Sequence, residues 1–334
     1  MKLTIGIPTY NRSKQLDGLL NSIYIASLNE PQVKLFILIS DNNSEDDTFN
    51  VVHKWKETLN INYHVNERNI GPIKNLFYVA NMFNGQGYFW FMGDDDEIAE
   101  DSFKIIRSYL DIKEENIDFF ILNRKICTRQ MEPIKNDSFF SEKKDIHFKI
   151  SNEKSFVSYL KKVNHTGGIF GLITSVIACS DFIYYLKKEI ITDRFWEDNL
   201  FPHVYIILKY IYLHKDRQTV NVMYIFNTLI NFRSGVLSKS SSKNLNALLD
   251  YKNLHLIAIK LFDSDKATSA YIRILRKNYS LRLFYMLQNS SSEYEREYDK
   301  NIRNIIYPCF YHKLVFICLQ SLNFFVKILR LIKK

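Results

Sequence analysis

The chain has 334 residues, of which 46% are hydrophobic and 24% are charged. These proportions are close to the soluble globular average and exclude wholesale disorder, while the length excludes a small disulfide module. One large α/β domain, or a core domain with an appendage, fits this length. The four cysteines have no zinc-type spacing, and the apolar run before Pro8 is too short for a signal peptide. We therefore expect reduced thiols and a cytoplasmic protein.

The net charge of +9 is concentrated at the C-terminal end of the chain. Residues 301–334 contain six basic residues and no acidic residue, which leaves +3 for the first 300 residues. Between Lys313 and Lys327 lie thirteen uncharged residues, too few for a membrane-spanning helix of about 20 residues. On a helical wheel this segment has an apolar face opposite a basic face. This pattern predicts an amphipathic helix that lies on an anionic membrane surface, or a terminal helix packed on its own domain.

The first 125 residues alternate between predicted strands and predicted helices. The strands are the apolar runs KLTIGI, VKLFILIS, INYHVNE and YFWFM. Helical spacing follows Ser13, Ser44 and Pro72. This order predicts an α/β fold with a parallel or mixed sheet, whose ligands bind at the carboxyl ends of the strands.

The second half of the chain is less regular. DFFILN is a predicted strand, residues 126–160 are predicted to be an excursion or flexible loop, and GGIFGLITSVIACS is a glycine-rich apolar stretch short enough to be a core strand. FPHVYIILKYIYL fits either an apolar helix or a strand, and from about Leu245 the pattern is helical. We therefore predict two regions, an α/β domain at 1–240 and a helical region at 241–334.

Polar segments follow each of the first four predicted strands, at residues 8–12, 41–44, 69–71 and 93–97. Because the carboxyl ends of parallel strands meet at one edge of a sheet, we expect these segments to line one crevice. Neither GxGxxG nor GxxxxGK[ST] is present. This absence argues against dinucleotide oxidoreductases and P-loop NTPases.

Three consecutive aspartates, Asp94, Asp95 and Asp96, stand with Glu97 at the end of the fourth predicted strand. Carboxylates this close disfavour joint ionisation unless a cation relieves them. Carboxylate oxygens suit Mg²⁺ or Mn²⁺, and substrate phosphates commonly complete a Mg²⁺ shell. The sequence therefore predicts a divalent metal site that binds a nucleotide diphosphate. The alternative is an acidic N-cap for a helix that starts near Asp101.

The segments IPTYNR, SDNNSEDDT, NIGPIKN and YFWFMGDDDEI, in this order, resemble family 2 glycosyltransferases of GT-A fold. The similarity extends to about residue 125 and is closest to the branch that builds bacterial O-antigen and capsular polysaccharides. It implies that the turn after the first strand and the aspartate after the second hold the nucleotide, with a basic residue and an asparagine after the third strand lining the same pocket. The implied binding residues are Pro8, Thr9, Tyr10, Arg12, Asp41, Lys74 and Asn75.

The acidic motif of the family is commonly Asp-x-Asp-Asp, and Gly93 stands here where its first aspartate often lies. The resemblance therefore implies Asp94 near the ribose and Asp95 on the metal. Asp96 is the second metal candidate or a helix-capping acid.

Two further segments resemble functional elements of the same family. Glu197 and Asp198 resemble its Glu-Asp element, in which the second acid is the general base, although an ordinary helix N-terminus has the same composition. Arg233 and Ser238 resemble an arginine-containing loop that closes on the diphosphate, and the serine-rich stretch also suits a mobile flap or linker.

Together these features predict an inverting glycosyltransferase that uses Mn²⁺ or Mg²⁺ and a nucleotide-diphosphate sugar donor. We expect it to act on a lipid-linked glycan acceptor while attached peripherally to the inner face of the cell membrane, without a nucleic-acid partner. A nucleotidyltransferase is one alternative, but the glycine-rich Arg/Lys loop of that class is absent after the first strand. A non-catalytic nucleotide-sugar-binding protein is the other, and the intact Glu197-Asp198 pair argues against it.

Overall fold

A computed structural model describes residues 1–112, 116–234 and 243–289. In this part of the chain the strands are β1 Lys2–Thr9, β2 Lys34–Asp41, β3 Ile61–Val65, β4 Tyr88–Phe91, β5 Glu97–Ile98, β6 Phe119–Cys127, β7 Pro133–Asn136, β8 Ile146–Ile150, β9 Val176–Cys179 and β10 Val220–Arg233. The helices are α1 Ser13–Asn29, α2 Thr48–Trp55, α3 Pro72–Met82, α4 Ser102–Ile112, α5 Glu153–Lys162, α6 Ser180–Thr192, α7 Pro202–His214, α8 Lys243–Leu261 and α9 Asp265–Asn289.

These strands form one mixed sheet in the order β3-β2-β1-β4-β9-β6-β10-β5, with β7 beside β6 and β8 beside β10. The first four strands are parallel to one another. Strand β9 is antiparallel to both β4 and β6. The prediction of an α/β fold with a parallel or mixed sheet is therefore confirmed. The sheet is mixed because β9 and the short strands β5, β7 and β8 pair antiparallel to their neighbours.

Helices cover both faces of the sheet and produce two apolar cores. Strand β4 shows why, because its successive side chains point to opposite faces. Phe89 and Phe91 join the core under α3 and α5–α9, while Trp90 and Met92 join the core under α1, α2 and α4. Gly6 of β1 gives Phe89 room, since a Cβ at Gly6 would lie 2.2 Å from the ring.

Three local predictions differ from the structure. Helix α2 begins at Thr48 rather than near Ser44, because the residues between bond to the turn after β1. GGIFGLITSVIACS is not one core strand, because two 3₁₀ turns at Thr166–Ile169 and Ile173–Ser175 precede strand β9 near its end. Residues 126–160 are not simply a loop, because they contain β7, β8 and most of α5.

Helices α8 and α9 pack on the same core as one face of the sheet. Tyr251 and Tyr271 are buried in it together with Phe156 of α5 and Tyr205 of α7. Among the residues that the structure describes, no helix combines the length and hydropathy needed to cross a membrane. The predicted amphipathic helix within 301–334 lies outside the described residues.

Candidate active site

A cleft opens at the carboxyl ends of β1 and β4, where the strand order 3-2-1-4 changes direction. Open α/β sheets bind their ligands at such a switch point. The cavity measures about 380 Å³, within the range of small-ligand pockets. It is lined by Pro8, Thr9, Tyr10, Arg12, Asn42, Asn69, Pro72, Asn75, Gly93, Asp94 and Asp95.

The turn after β1 has a strained backbone that a neighbouring loop holds in place. Asn11 has φ +51°, a left-handed conformation that asparagine tolerates better than most residues. Its backbone N–H donates to Ser44 Oγ at 2.9 Å, and its Oδ1 accepts from the N–H of Glu45 at 2.8 Å. The N–H of Ser13 donates to Asp46 Oδ2 at 2.9 Å. These bonds fix the direction in which Tyr10 and Arg12 leave the strand.

Arg12 reaches across the cleft to the acidic turn after β4. Its Nη1 lies 2.8 Å from Asp94 Oδ1 and 2.9 Å from Asp95 Oδ2. Thr9 Oγ1 donates to the other oxygen of Asp94 at 2.8 Å. Burial raises the pKa of Asp94 although Arg12 and Thr9 act against it. Burial lowers the pKa of Arg12, but the facing carboxylates outweigh it and raise that pKa overall.

Asp96 and Arg233 lie behind the acidic turn rather than in the cleft lining. The Arg233 N–H donates to Asp96 Oδ1 at 3.0 Å, and its guanidinium donates to the Asp95 carbonyl at 2.8 Å and to Glu97 Oε1 at 3.0 Å. Asp96 is only 1% exposed, and burial together with Asp95 raises its pKa to about 7. This arrangement favours Asp95 over Asp96 as a metal ligand. It also gives Arg233 partners that hold the acidic turn in shape.

Asp96 does not cap a helix, because α4 begins six residues later at Ser102. Thr174 helps to enclose Asp96, and its hydroxyl lowers the pKa of that carboxyl against the effect of burial. A Cβ at Gly93 would lie 3.1 Å from Thr174 Cγ2, so the glycine in this motif fits a crowded position. Thr174 was not singled out from the sequence, because it lies about 80 residues from the motif with no local signal.

The residues predicted around the base and ribose divide into three kinds. Pro8, Thr9, Tyr10 and Asn75 line the cleft. The Asn75 side chain is also buried, where its Oδ1 accepts hydrogen bonds from Ser40 Oγ and Asn66 Nδ2 and its Nδ2 donates to the Ser40 carbonyl. Asp41 is buried beside the cleft, where its oxygens accept from Tyr63 Oη at 2.5 Å and from the N–H of Ser44 at 2.9 Å. Lys74 is exposed on α3 and is not part of the lining.

Two asparagines of the lining were not predicted as binding residues. Asn42 Nδ2 donates to Asn69 Oδ1 at 2.8 Å, and Asn42 Oδ1 accepts from the N–H of Ile70 at 2.8 Å. They join the segments after β2 and β3 into one wall. Both lie in the segments after β2 and β3 that were expected from the sequence to line one crevice, although no binding role was assigned to them.

The segment that carries Glu197 and Asp198 is a 3₁₀ helix, Arg194–Asp198. Glu197 is exposed, and the Asp198 side chain lies outside the described side chains. Asp193 anchors the start of the segment, because its Oδ1 accepts from the N–H of Phe195 at 3.0 Å. Lys209 Nζ lies 2.8 Å from Asp193 Oδ2 and 2.6 Å from Glu189 Oε2.

The donor atoms at the acidic turn suit a hard divalent cation. In the described part of the chain, no three His, Cys, Asp or Glu side chains are grouped as a metal site. Mg²⁺ is usually held by one or two carboxylates together with substrate phosphates, which does not require such a group. Asp95 fits this role, because its side chain is 21% exposed and lines the cleft.

Residues 4–178 match the model of Glycosyl transferase family 2. Abequosyltransferase RfbV of Salmonella typhimurium is 31% identical over 215 residues, which span 62% of this chain and 60% of that protein. Poly(ribitol-phosphate) beta-N-acetylglucosaminyltransferase TarS of Staphylococcus aureus is 29% identical over 126 residues, 37% of this chain and 21% of that protein. The match thus spans less than two thirds of either relative.

Solved structures share the fold at lower identity. S. aureus TarS 1–349 superposes with a TM-score of 0.61 at 19% identity, over 90% of this chain and 78% of that one. The mannosyltransferase PcManGT from Pyrobaculum calidifontis, in complex with GDP-Man and Mn²⁺, gives a TM-score of 0.51 at 12% identity, over 94% of this chain and 83% of that one. The predicted GT-A fold is confirmed. Because the family model covers more than half of its length, this chain belongs to glycosyl transferase family 2.

Proposed function

We propose that this chain is an inverting, metal-dependent glycosyltransferase that moves a sugar from a nucleotide-diphosphate sugar to a hydroxyl group of a glycan acceptor. Family membership supports the transfer reaction. The observation that carries the proposal is the cleft at the ends of β1 and β4, where Thr9, Arg12, Asp94 and Asp95 meet. A guanidinium and a carboxylate pair in one pocket provide recognition for both a diphosphate and its counter-cation.

The nucleotide would lie between the turn after β1 and the wall formed by Asn42 and Asn69. Tyr10 is 41% exposed at the rim of the cleft, where its ring can stack on a base. The amides of the asparagine wall offer donors and acceptors to polar edges of the base or ribose. S. aureus TarS 1–349 has also been solved in complex with UDP-GlcNAc, which supports a nucleotide-sugar donor by similarity.

Asp95 would hold the divalent cation in this scheme. When bound, a cation there supplies Lewis-acid stabilisation of the charge that develops on the departing diphosphate. The described contacts of Arg233 give it a supporting role, since it holds the backbone of Asp95 from behind. Its direct contact with the diphosphate remains a prediction, because such a contact requires its guanidinium to leave these partners.

Asp198 would act as the general base that removes the proton from the acceptor hydroxyl. Attack on the anomeric carbon from the side opposite the leaving group inverts its configuration and needs no covalent intermediate. The 3₁₀ helix Arg194–Asp198 carries both acids, and the hydrogen bond from the Phe195 N–H to Asp193 anchors its start. Glu197, the exposed neighbour, is the alternative base.

We also propose that the acceptor is lipid-linked and that the C-terminal basic segment attaches the protein to the cytoplasmic face of the membrane. Six basic residues without an acid in 301–334 support this, since each contributes about 1 kcal/mol near an anionic surface. Sedimentation with anionic vesicles should depend on this segment and weaken with salt. Equal sedimentation of the full chain and a chain ending at Asn301 would contradict membrane attachment.

A thermal-shift panel tests the donor class. UDP-, GDP-, CDP- and dTDP-sugars are compared with and without Mn²⁺, because a ligand at a hundredfold excess over its Kd stabilises the native state by about 2.7 kcal/mol. We expect one nucleotide to raise the Tm, and to raise it more with Mn²⁺. No shift with any nucleotide sugar would contradict the proposed function.

A further inference from the structure

Arg12 is a cation built into the site where the divalent cation is expected. A single nitrogen, Nη1, contacts both Asp94 and Asp95, at 2.8 and 2.9 Å. It therefore offsets one of the two negative charges that these neighbouring carboxylates carry when both are ionised. Without a positive charge at this point, these carboxylates would repel each other.

The geometry of Arg12 is that of a side chain that can change partners. Both contacts use the same nitrogen, rather than the two-nitrogen fork that makes arginine–carboxylate pairs strong. Its Nε and Nη2 make no hydrogen bond within the described part of the chain, and a third of its side chain is exposed to the cleft. A diphosphate in the cleft could thus receive the planar donor pair that the carboxylates do not use.

The turn that carries Arg12 does not need to move for this exchange. Asn11 is held in its left-handed conformation by Ser44 and Glu45, and the Arg12 carbonyl accepts from the N–H of Leu16 at 2.9 Å in the first turn of α1. The backbone is therefore fixed on both sides of Arg12. Only the side-chain torsions are left to swing the guanidinium between the acidic turn and the cleft.

Asp94 and Asp95 differ in the hydrogen-bond donors that they keep when the Arg12 guanidinium moves away. Asp94 is buried and keeps the hydrogen bond from Thr9, whereas Asp95 is partly exposed and has no other side-chain donor in the described structure. Departure of Arg12 would thus expose one carboxylate, Asp95, to the cleft and create a demand for a new cation there.

We propose that Arg12 stays paired with Asp94 and Asp95 until a diphosphate draws its guanidinium away, so that diphosphate and divalent-cation binding are coupled through this one side chain. The inference rests on the proposed function for its ligands. By linkage, the nucleotide tightens Mn²⁺ binding by the same factor as Mn²⁺ tightens nucleotide binding. We expect a factor of about ten or more, within the usual range of coupling between sites.

Mn²⁺ titrations followed by electron paramagnetic resonance test the coupling, with Mn²⁺ alone and with UDP, GDP, CDP or dTDP. Arg12→Gln should bind Mn²⁺ alone about tenfold tighter than wild type, because the competing charge is gone. The nucleotide should then improve its Mn²⁺ affinity far less than it does in wild type. Lys14→Gln is the matched control, since it removes an exposed charge two residues away, and should behave as wild type.

Arg12→Gln leaves the buried Asp94 without its cation and could therefore misfold. A second pair of variants tests the proposal without this risk. In the Asp94→Asn background no buried carboxylate loses a partner, so Mn²⁺ affinity is compared between Asp94→Asn and Asp94→Asn with Arg12→Gln. Tighter binding of Mn²⁺ alone by the double variant supports the proposal.

Equal or weaker Mn²⁺ binding after removal of Arg12, or no Mn²⁺ binding at all, would overturn the coupling. Failure of the proposed function would be distinct from this outcome. In that case no nucleoside diphosphate would bind to any variant, while the comparison with Mn²⁺ alone would still decide the role of Arg12.

Discussion

Two charged clusters have similar compositions, one in the cleft and one between α6 and α7. They differ in how many hydrogen-bond partners their charged groups have. In each, one basic side chain contacts two acids, Arg12 with Asp94 and Asp95, and Lys209 with Glu189 and Asp193. Arg12 keeps nitrogens without partners in the described structure. Asp193 has two further donors, Tyr205 Oη at 2.6 Å and the Phe195 N–H. Asp94 has one further side-chain donor, Thr9, and Asp95 has no other side-chain donor in the described structure.

This difference indicates that the Arg12 cluster is a ligand-binding site and that the Lys209 cluster stabilises the fold. A charged cluster that lacks partners gains stability when a ligand completes it, whereas a cluster that already has its partners mainly stabilises the fold. Disruption of the Lys209 cluster should therefore reduce the stability of the protein, and disruption of the Arg12 cluster should change ligand binding. The 3₁₀ helix that follows Asp193 carries Glu197 and Asp198, the two residues predicted as candidate bases.

The largest expected effect concerns the segment next to the Lys209 cluster. Asp198→Asn should lower the rate of sugar transfer by about 10²–10⁴-fold without changing donor affinity, because a general base contributes about that factor to the chemical step. Single-turnover transfer and a separate donor titration provide the two measurements. If Glu197→Gln produces this phenotype and Asp198→Asn does not, the two roles must be exchanged.

Loss of the basic residue from the complete cluster should reduce stability. Lys209→Met leaves Glu189 and Asp193 without their cation, so we expect the free energy of unfolding to fall by about 2 kcal/mol. Chemical denaturation measures this loss, with Lys188→Met, an exposed lysine on α6, as the matched control. Nucleotide affinity should stay unchanged. A variant of wild-type stability that no longer binds nucleotide would contradict the division into site and support.

A smaller, pH-dependent effect should mark the same cluster. Burial alone would raise the pKa of Asp193, but hydrogen bonds from Lys209, Tyr205 and the Phe195 N–H lower it to about 2. The unfolded value is about 3.9, so the stabilisation is complete above that pH and is lost as the pH falls towards 2. After solvent screening, Asp193→Asn should cost about 1 kcal/mol at pH 7.

Unfolding curves of wild type and Asp193→Asn between pH 7 and pH 2 check this expectation. The difference in the free energy of unfolding should shrink below about pH 4. A difference that is independent of pH would mean that the ionised carboxylate of Asp193 does not contribute to stability.

The strand and helix order of the first half of the chain could be predicted because hydrophobic periodicity and local breakers specify it. The cleft followed from the same order, since residues after parallel strands meet at one sheet edge. Thr9, Arg12, Asp94 and Asp95 do lie together there. Their roles in binding and metal coordination stay predictions.

The features of the fold that could not be predicted depend on contacts between distant parts of the chain. Strand β5 has two residues and forms only because Glu97 and Ile98 pair with Asn231 and Ile230 of β10. The glycine-rich stretch turns rather than extends at Thr166–Ile169, where only a glycine fits position 167 because a Cβ there would lie 2.6 Å from the Phe139 ring. Neither feature has a local signal. The Lys209 cluster likewise joins two helices whose relative position no sequence period specifies.

The central claim is that the cleft binds a nucleotide diphosphate with a divalent cation at Asp95. Calorimetric titration of UDP, GDP, CDP and dTDP in the presence of Mn²⁺, into wild type and Asp95→Asn, tests it most directly, with the exposed Glu100→Gln as the matched control. We expect at least one nucleotide to bind wild type and Glu100→Gln alike. Asp95→Asn should lose the Mn²⁺-dependent part of the affinity, about tenfold or more for a coupled site, with an unchanged Tm without ligand. Equal Mn²⁺-dependent affinity in wild type and Asp95→Asn would contradict the account.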